Sequence, residues 1–150
     1  MKVMIVVTHL LGTGHLTRAL TLGRAFANAG DQVVLVSGGV PVGHLDFDGV
    51  ELVQLPPLKS DGVDFSRVLT AEGVVADAAY LEARQGALLD TFADSRPDLL
   101  ITELFPFGRR ILRAEFTALL LAAQTGDGRG VDHDLLQRGS GAFGRGDRGT

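Results

Sequence analysis

The chain has no cysteine, which removes disulfide scaffolds, thiolate metal sites and thiol nucleophiles together and fits a reducing compartment. Basic charge is not in excess. Fourteen Lys and Arg stand against eighteen Asp and Glu, a formal net charge of −4, so nucleic acid and anionic lipid are not expected as partners and any bound anion must be held locally. Long apolar runs are also missing. Only about six apolar residues precede Thr8 and His9, too few for a signal-peptide core and far short of a transmembrane segment. The expectation is a cytoplasmic chain, at most peripheral at the inner membrane face. No metal is expected either, because His9 and His15 are six residues apart with no acidic pair to join them.

What is present suffices for one domain. The chain has 150 residues, 45% hydrophobic and 21% charged, enough apolar material for a core. Composition changes sharply after Ala123: eight of the twenty glycines fall in residues 124–150, where four Arg and four Asp cancel. Such a stretch cannot bury enough apolar surface to offset its own ordering entropy. A domain over residues 1–123 with a disordered tail over 124–150 is therefore expected. So abrupt a change is expected of a shifted reading frame or a truncated gene model, the alternative being a natural short protein.

Periodicity gives the organisation. Residues 2–7 form a continuous β-branched and aliphatic run, as in a strand covered on both faces of a parallel sheet. After Gly12-Thr13-Gly14, apolar residues at Leu16, Ala19, Leu20, Gly23, Phe26 and Ala27 have helical spacing, and Gly30 stops the helix. Residues 32–36 read as a second strand ended by Gly38-Gly39, and residues 50–55 as a third closed by Pro56-Pro57, which supply no ladder donors. Over residues 74–94, Ala76, Tyr80, Ala83, Ala87, Leu88 and Phe92 define the inner face of a long helix, with Glu82, Arg84, Asp90 and Asp94 outward. Residues 99–102 give a fourth strand and residues 110–123 a last helix. This alternation predicts an α/β, doubly wound parallel sheet of Rossmann-like type. By analogy its strand order is 3-2-1-4, with a ligand crevice beyond the ends of strands one and four.

Two loops meet at that crevice. Gly12-Thr13-Gly14 joins strand to helix, where backbone amides and the helix dipole can hold a phosphate, or where two glycines simply make the turn. A dinucleotide fingerprint is absent, since Thr17 stands where its third glycine belongs and Ser37-Gly38-Gly39 where its acidic residue belongs; no lysine follows Gly14 as a P-loop requires. No bound cofactor is expected. His15 lies in the first helical turn, where the positive end of the dipole keeps an imidazole available as a base; the alternative is a capping or packing histidine. His9 is the weaker candidate. Glu103 ends the fourth strand and could orient His15, bind sugar hydroxyls, or pair with Arg109 or Arg110. Those two arginines could bind a pyrophosphate bidentately, or be solvated surface cations.

The segments Leu11-Gly12-Thr13-Gly14-His15-Leu16, residues 33–39, Leu55-Pro56-Pro57-Leu58 and Ile101-Thr102-Glu103-Leu104-Phe105-Pro106-Phe107-Gly108-Arg109-Arg110 resemble the N-terminal half of bacterial predicted glycosyltransferases. That group is similar to the N-acetylglucosaminyl transferase family that completes the lipid-linked peptidoglycan precursor. The resemblance covers residues 1–123 and implies the N-terminal half of a GT-B fold, incomplete without its second Rossmann-like domain. It further implies an acceptor, a sugar or lipid-linked molecule, bound on this side, and a nucleotide-sugar donor, a substrate rather than a cofactor, held mainly by a C-terminal domain missing here. By the same resemblance His15 deprotonates the acceptor hydroxyl in an inverting transfer, Glu103 orients it, and the chain is inactive alone. The rival expectation is a stand-alone α/β anion- or nucleotide-binding module acting as one subunit of a two-chain enzyme.

Overall fold

The computed structural model describes residues 1–64, 67–103 and 112–125. Its elements run β1 (Lys2–Val7), α1 (Gly14–Asn28), β2 (Gln32–Gly39), β3 (Glu51–Leu58), α2 (Ala78–Ser95), β4 (Leu99–Thr102) and α3 (Arg113–Thr125). The strands form one sheet in the order β3-β2-β1-β4, every pairing parallel. That is the order expected by analogy, and β1 falls where the sequence put it.

Alternation along β1 builds two cores. Val3, Ile5 and Val7 face α1 and pack with its Leu16, Ala19 and Leu20 and with Val33, Leu35, Val50 and Ile101. Met4 and Val6 face the other way, toward Leu88 of α2 and Phe116 and Leu119 of α3. Helices thus cover both faces, which is why the inner strands are apolar throughout rather than alternating. Asp77 caps α2 by accepting the Tyr80 amide at 2.8 Å. α3 continues through Gln124 and Thr125, two residues past the expected boundary, and residues 126–150 lie outside the described residues.

Two corrections concern the strand ends. β2 does not stop at Gly38-Gly39 but includes both, and β3 runs through Pro56-Pro57 to Leu58. Prolines are tolerated because β3 is an edge strand with an irregular register: from Ser37↔Gln54 to Gly39↔Leu58, β2 advances two residues and β3 four. Carbonyls along this irregular stretch take side-chain donors. The Gln54 amide donates to the carbonyls of Ser37 (3.2 Å) and Gly39 (2.7 Å), and Arg84 donates to those of Gly38 and Pro56, both at 2.7 Å.

The third correction is Arg84 itself, expected to point outward and found 0% exposed. The inner stripe of α2 runs through Tyr80, Arg84 and Leu88 at intervals of four, while Ala83 is exposed. Nε and Nη2 hold Glu115 of α3 bidentately at 2.8 and 3.0 Å, and Nη2 also donates to Thr8 Oγ1 at 2.8 Å. With the two carbonyls, all five N–H donors are used. The glycines make the room: a Cβ on Gly38 would collide with the Arg84 guanidinium and Thr8 Oγ1.

Candidate functional site

The site forms where β1 and β4 end side by side. The Glu103 amide donates to the Val6 carbonyl at 2.9 Å, carrying the β4 register one residue further and fixing Glu103 beside the end of β1. From β1 the chain passes through three restraints before entering α1. Thr8 is held by Arg84, the His9 Nε2–H donates to the Val40 carbonyl at 3.0 Å, and the Leu10 carbonyl accepts the Ser60 amide at 3.0 Å. Gly12 then turns the chain with φ +63°, a conformation in which a side chain is strained. Gly14 opens α1 and His15 follows in its first turn.

This path brings His15 and Glu103 together across 88 residues of sequence, with Nδ1 3.0 Å from Oε1. Their exposures differ: the Glu103 side chain is 4% exposed and that of His15 is 39%. The imidazole therefore stands between a buried carboxylate and solvent. Arg18, a polar residue between the apolar positions Leu16 and Ala19 of α1, also reaches Glu103 Oε1, at 3.5 Å. Its signal was its position three residues after His15, which puts both on one helix face. Glu103 Oε2 is buried and makes no hydrogen bond among the described residues.

Gly12, Thr13 and Gly14 lie at the N-terminus of α1, whose cap residue Thr13 makes no side-chain hydrogen bond and whose first turn has no acidic residue. A Cβ built on Gly12 or Gly14 meets nothing within 4 Å. Among the described residues no capping side chain occupies the helix-terminal amides of this loop. Arg109 and Arg110 lie outside the described residues, so the structure places neither at the site. Among the described residues no cluster of three His, Asp or Glu side chains could hold a metal, and no helix is long and apolar enough to cross a membrane.

His9 is 6% exposed and packs against Gly39, where a Cβ would collide with its ring. Its Nδ1 is buried without a hydrogen-bond partner among the described residues. Burial pushes its pKa below the ordinary histidine value; the Val40 hydrogen bond opposes this and the nearby His15 adds to it. A pH dependence follows. Below about pH 6.5 the unfolded chain gains a proton that folded His9 refuses, so the His9 contribution to stability is whole above that pH and declines as pH falls below it. Urea midpoints from pH 7 to 5 are expected to fall more steeply for the parent chain than for His9→Gln; parallel curves would refute it.

No protein-family model matches the chain, and no curated protein matches it. Seven solved chains do. SsfS6, a glycosyltransferase of Streptomyces sp. SF2575, is 18% identical over 68% of this chain and 33% of its own, with a TM-score of 0.46. UGT2 of Phytolacca americana, solved in complex with UDP-2fluoro-glucose and pterostilbene, is 16% identical over 82% of this chain with a TM-score of 0.50. The chain spans 29% of that protein's length. At such identity the likeness is one of fold, and it does not single out the peptidoglycan-precursor family among its relatives. The parallel sheet with helices on both faces is the Rossmann-like fold of the N-terminal part of GT-B glycosyltransferases.

Proposed function

We propose that residues 1–125 form the acceptor-binding side of an inverting, nucleotide-sugar-dependent glycosyltransferase, with His15 as the general base. The observation that carries this reading is the 3.0 Å contact between His15 Nδ1 and the buried Glu103. With Nδ1–H donating to the carboxylate, Nε2 keeps its lone pair on a side chain that reaches solvent, the arrangement of a base oriented by an acid. Nε2 takes the proton of an acceptor hydroxyl as its oxygen attacks the anomeric carbon. The bond from that carbon to the nucleoside diphosphate breaks, its electron pair leaving with the phosphate oxygen, and the configuration inverts.

The acceptor, a sugar or lipid-linked molecule, lies over Gly12, Thr13 and Gly14, where free amides suit an anionic group, with Arg109 and Arg110 as further anion ligands. UGT2, which shares the fold, was solved in complex with UDP-2fluoro-glucose and pterostilbene. In this reading the donor is bound mainly by a second Rossmann-like domain, in cis or from another chain, and residues 1–150 alone do not turn over. The chain requires no bound cofactor and works in the cytoplasm.

The reading is tested by turnover of His15→Ala in a protein that joins this chain to a matching donor domain: kcat must collapse while donor KM holds. A second test addresses the division of labour. Calorimetry on purified residues 1–150 is expected to find UDP-sugar binding much weaker than micromolar. Micromolar affinity, about 8 kcal/mol, would place the donor site on this domain and favour a self-contained nucleotide-binding module.

A further inference from the structure

We propose that Arg18 is a positioning residue of the His15–Glu103 pair, its fixed positive charge balancing the buried carboxylate so that His15 remains neutral and able to accept a proton. The inference rests on the base role of His15 and adds a third member to it. Arg18 and His15 stand three residues apart on α1 and converge on one oxygen, Glu103 Oε1, at 3.5 and 3.0 Å. Glu103 is 3% exposed, and its other oxygen has no hydrogen-bond partner among the described residues.

A buried carboxylate with a single neutral donor is costly, so it draws positive charge toward itself. Two sources are within reach. One is a proton on His15, which makes the imidazole a cation and removes the base. The other is the Arg18 guanidinium, always protonated, which balances the same oxygen and repels a proton from the neighbouring ring. The groups facing His15 among the described residues are Glu103 from the end of β4, Arg18 from its own helix, and His9 from the loop after β1. His9 is held toward its neutral form by burial. Arg18 is therefore the permanent cation of the set, and at 54% side-chain exposure its head can be changed without opening the core.

The test is an NMR titration of the histidine ring protons in the 150-residue chain. In Arg18→Met, which keeps the apolar stem and removes the charge, the His15 ring signals are expected to move to their protonated positions at a higher pH than in the parent, because a fixed cation beside the ring is gone. Arg18→Lys is expected to restore the parent value, and added salt to shrink the difference. His44, exposed in the loop after β2, serves as the unmoved control. Identical His15 titration in Arg18→Met and parent overturns the proposal, as does a Lys variant that shifts as far as Met. Neither result touches the base assignment, which turnover of His15→Ala decides separately; loss of that assignment would leave the titration shift intact.

Discussion

Glu115→Leu is expected to destabilise the chain by about 3–5 kcal/mol, a large part of the roughly 5–15 kcal/mol that holds a domain folded, and so to lower its urea midpoint steeply. The reason is what remains behind. Arg84 is 0% exposed, and without Glu115 its cation stays buried with no counter-charge, its Nε–H and one Nη2–H lose their acceptors, and its remaining bonds go to the neutral oxygens of Thr8, Gly38 and Pro56. Arg84→Met leaves the converse fault, a buried Glu115 carboxylate and two strand carbonyls without donors. The double variant Arg84→Met/Glu115→Leu should recover much of the loss, since the pair is replaced by apolar volume, yet fall short of the parent because the Gly38 and Pro56 carbonyls stay unserved, at about 1–3 kcal/mol each. Arg84→Lys keeps the charge but not the five-donor fork and should fall between. Additive losses in the double variant would mean the two side chains are uncoupled and the network is not as described.

Much of the frame was legible because it follows from periodicity. The runs at residues 2–7 and 99–102 are the observed β1 and β4, and Leu16, Ala19, Leu20 and Gly23 are the buried face of α1. His15 and Glu103 were legible as candidates because each lies at the C-terminal end of a strand or the start of the following helix, where parallel sheets place their ligands. Arg84 was not, because an arginine in an amphipathic helix is ordinarily solvated, and only five acceptors gathered from four other segments make its burial tolerable. One clue was available: a Gly38-Gly39 pair at the end of an apolar strand marks a place where something must approach the backbone closely. Pro56-Pro57 misled for a related reason. Prolines supply no ladder donors, but the side chains of Gln54 and Arg84 donate to carbonyls of the same stretch, a long-range arrangement that local turn chemistry does not display.

The Arg84 network also bears on the site, because it holds Thr8 at the start of the loop that delivers His15. Chemistry itself should respond to His15 far more than to the neighbouring histidine. In the two-domain protein, His15→Ala is expected to lower kcat by about 10² to 10⁴, the usual contribution of a positioned base, with donor KM little changed because the other domain holds the donor. Glu103→Gln should approach that loss, since an amide in place of the carboxylate can present its NH₂ group to Nδ1 and stabilise the tautomer that has no lone pair on Nε2. His9→Ala, assayed at a temperature where it remains folded, should cost little turnover. Its Nε2–H is committed to the Val40 carbonyl at 3.0 Å and its Nδ1 is buried against Gly39, so neither nitrogen can meet an acceptor hydroxyl without unpacking the loop. The opposite pattern, near-parent kcat in His15→Ala and none in His9→Ala, would make His9 the base and leave His15 and the glycine loop to hold the acceptor.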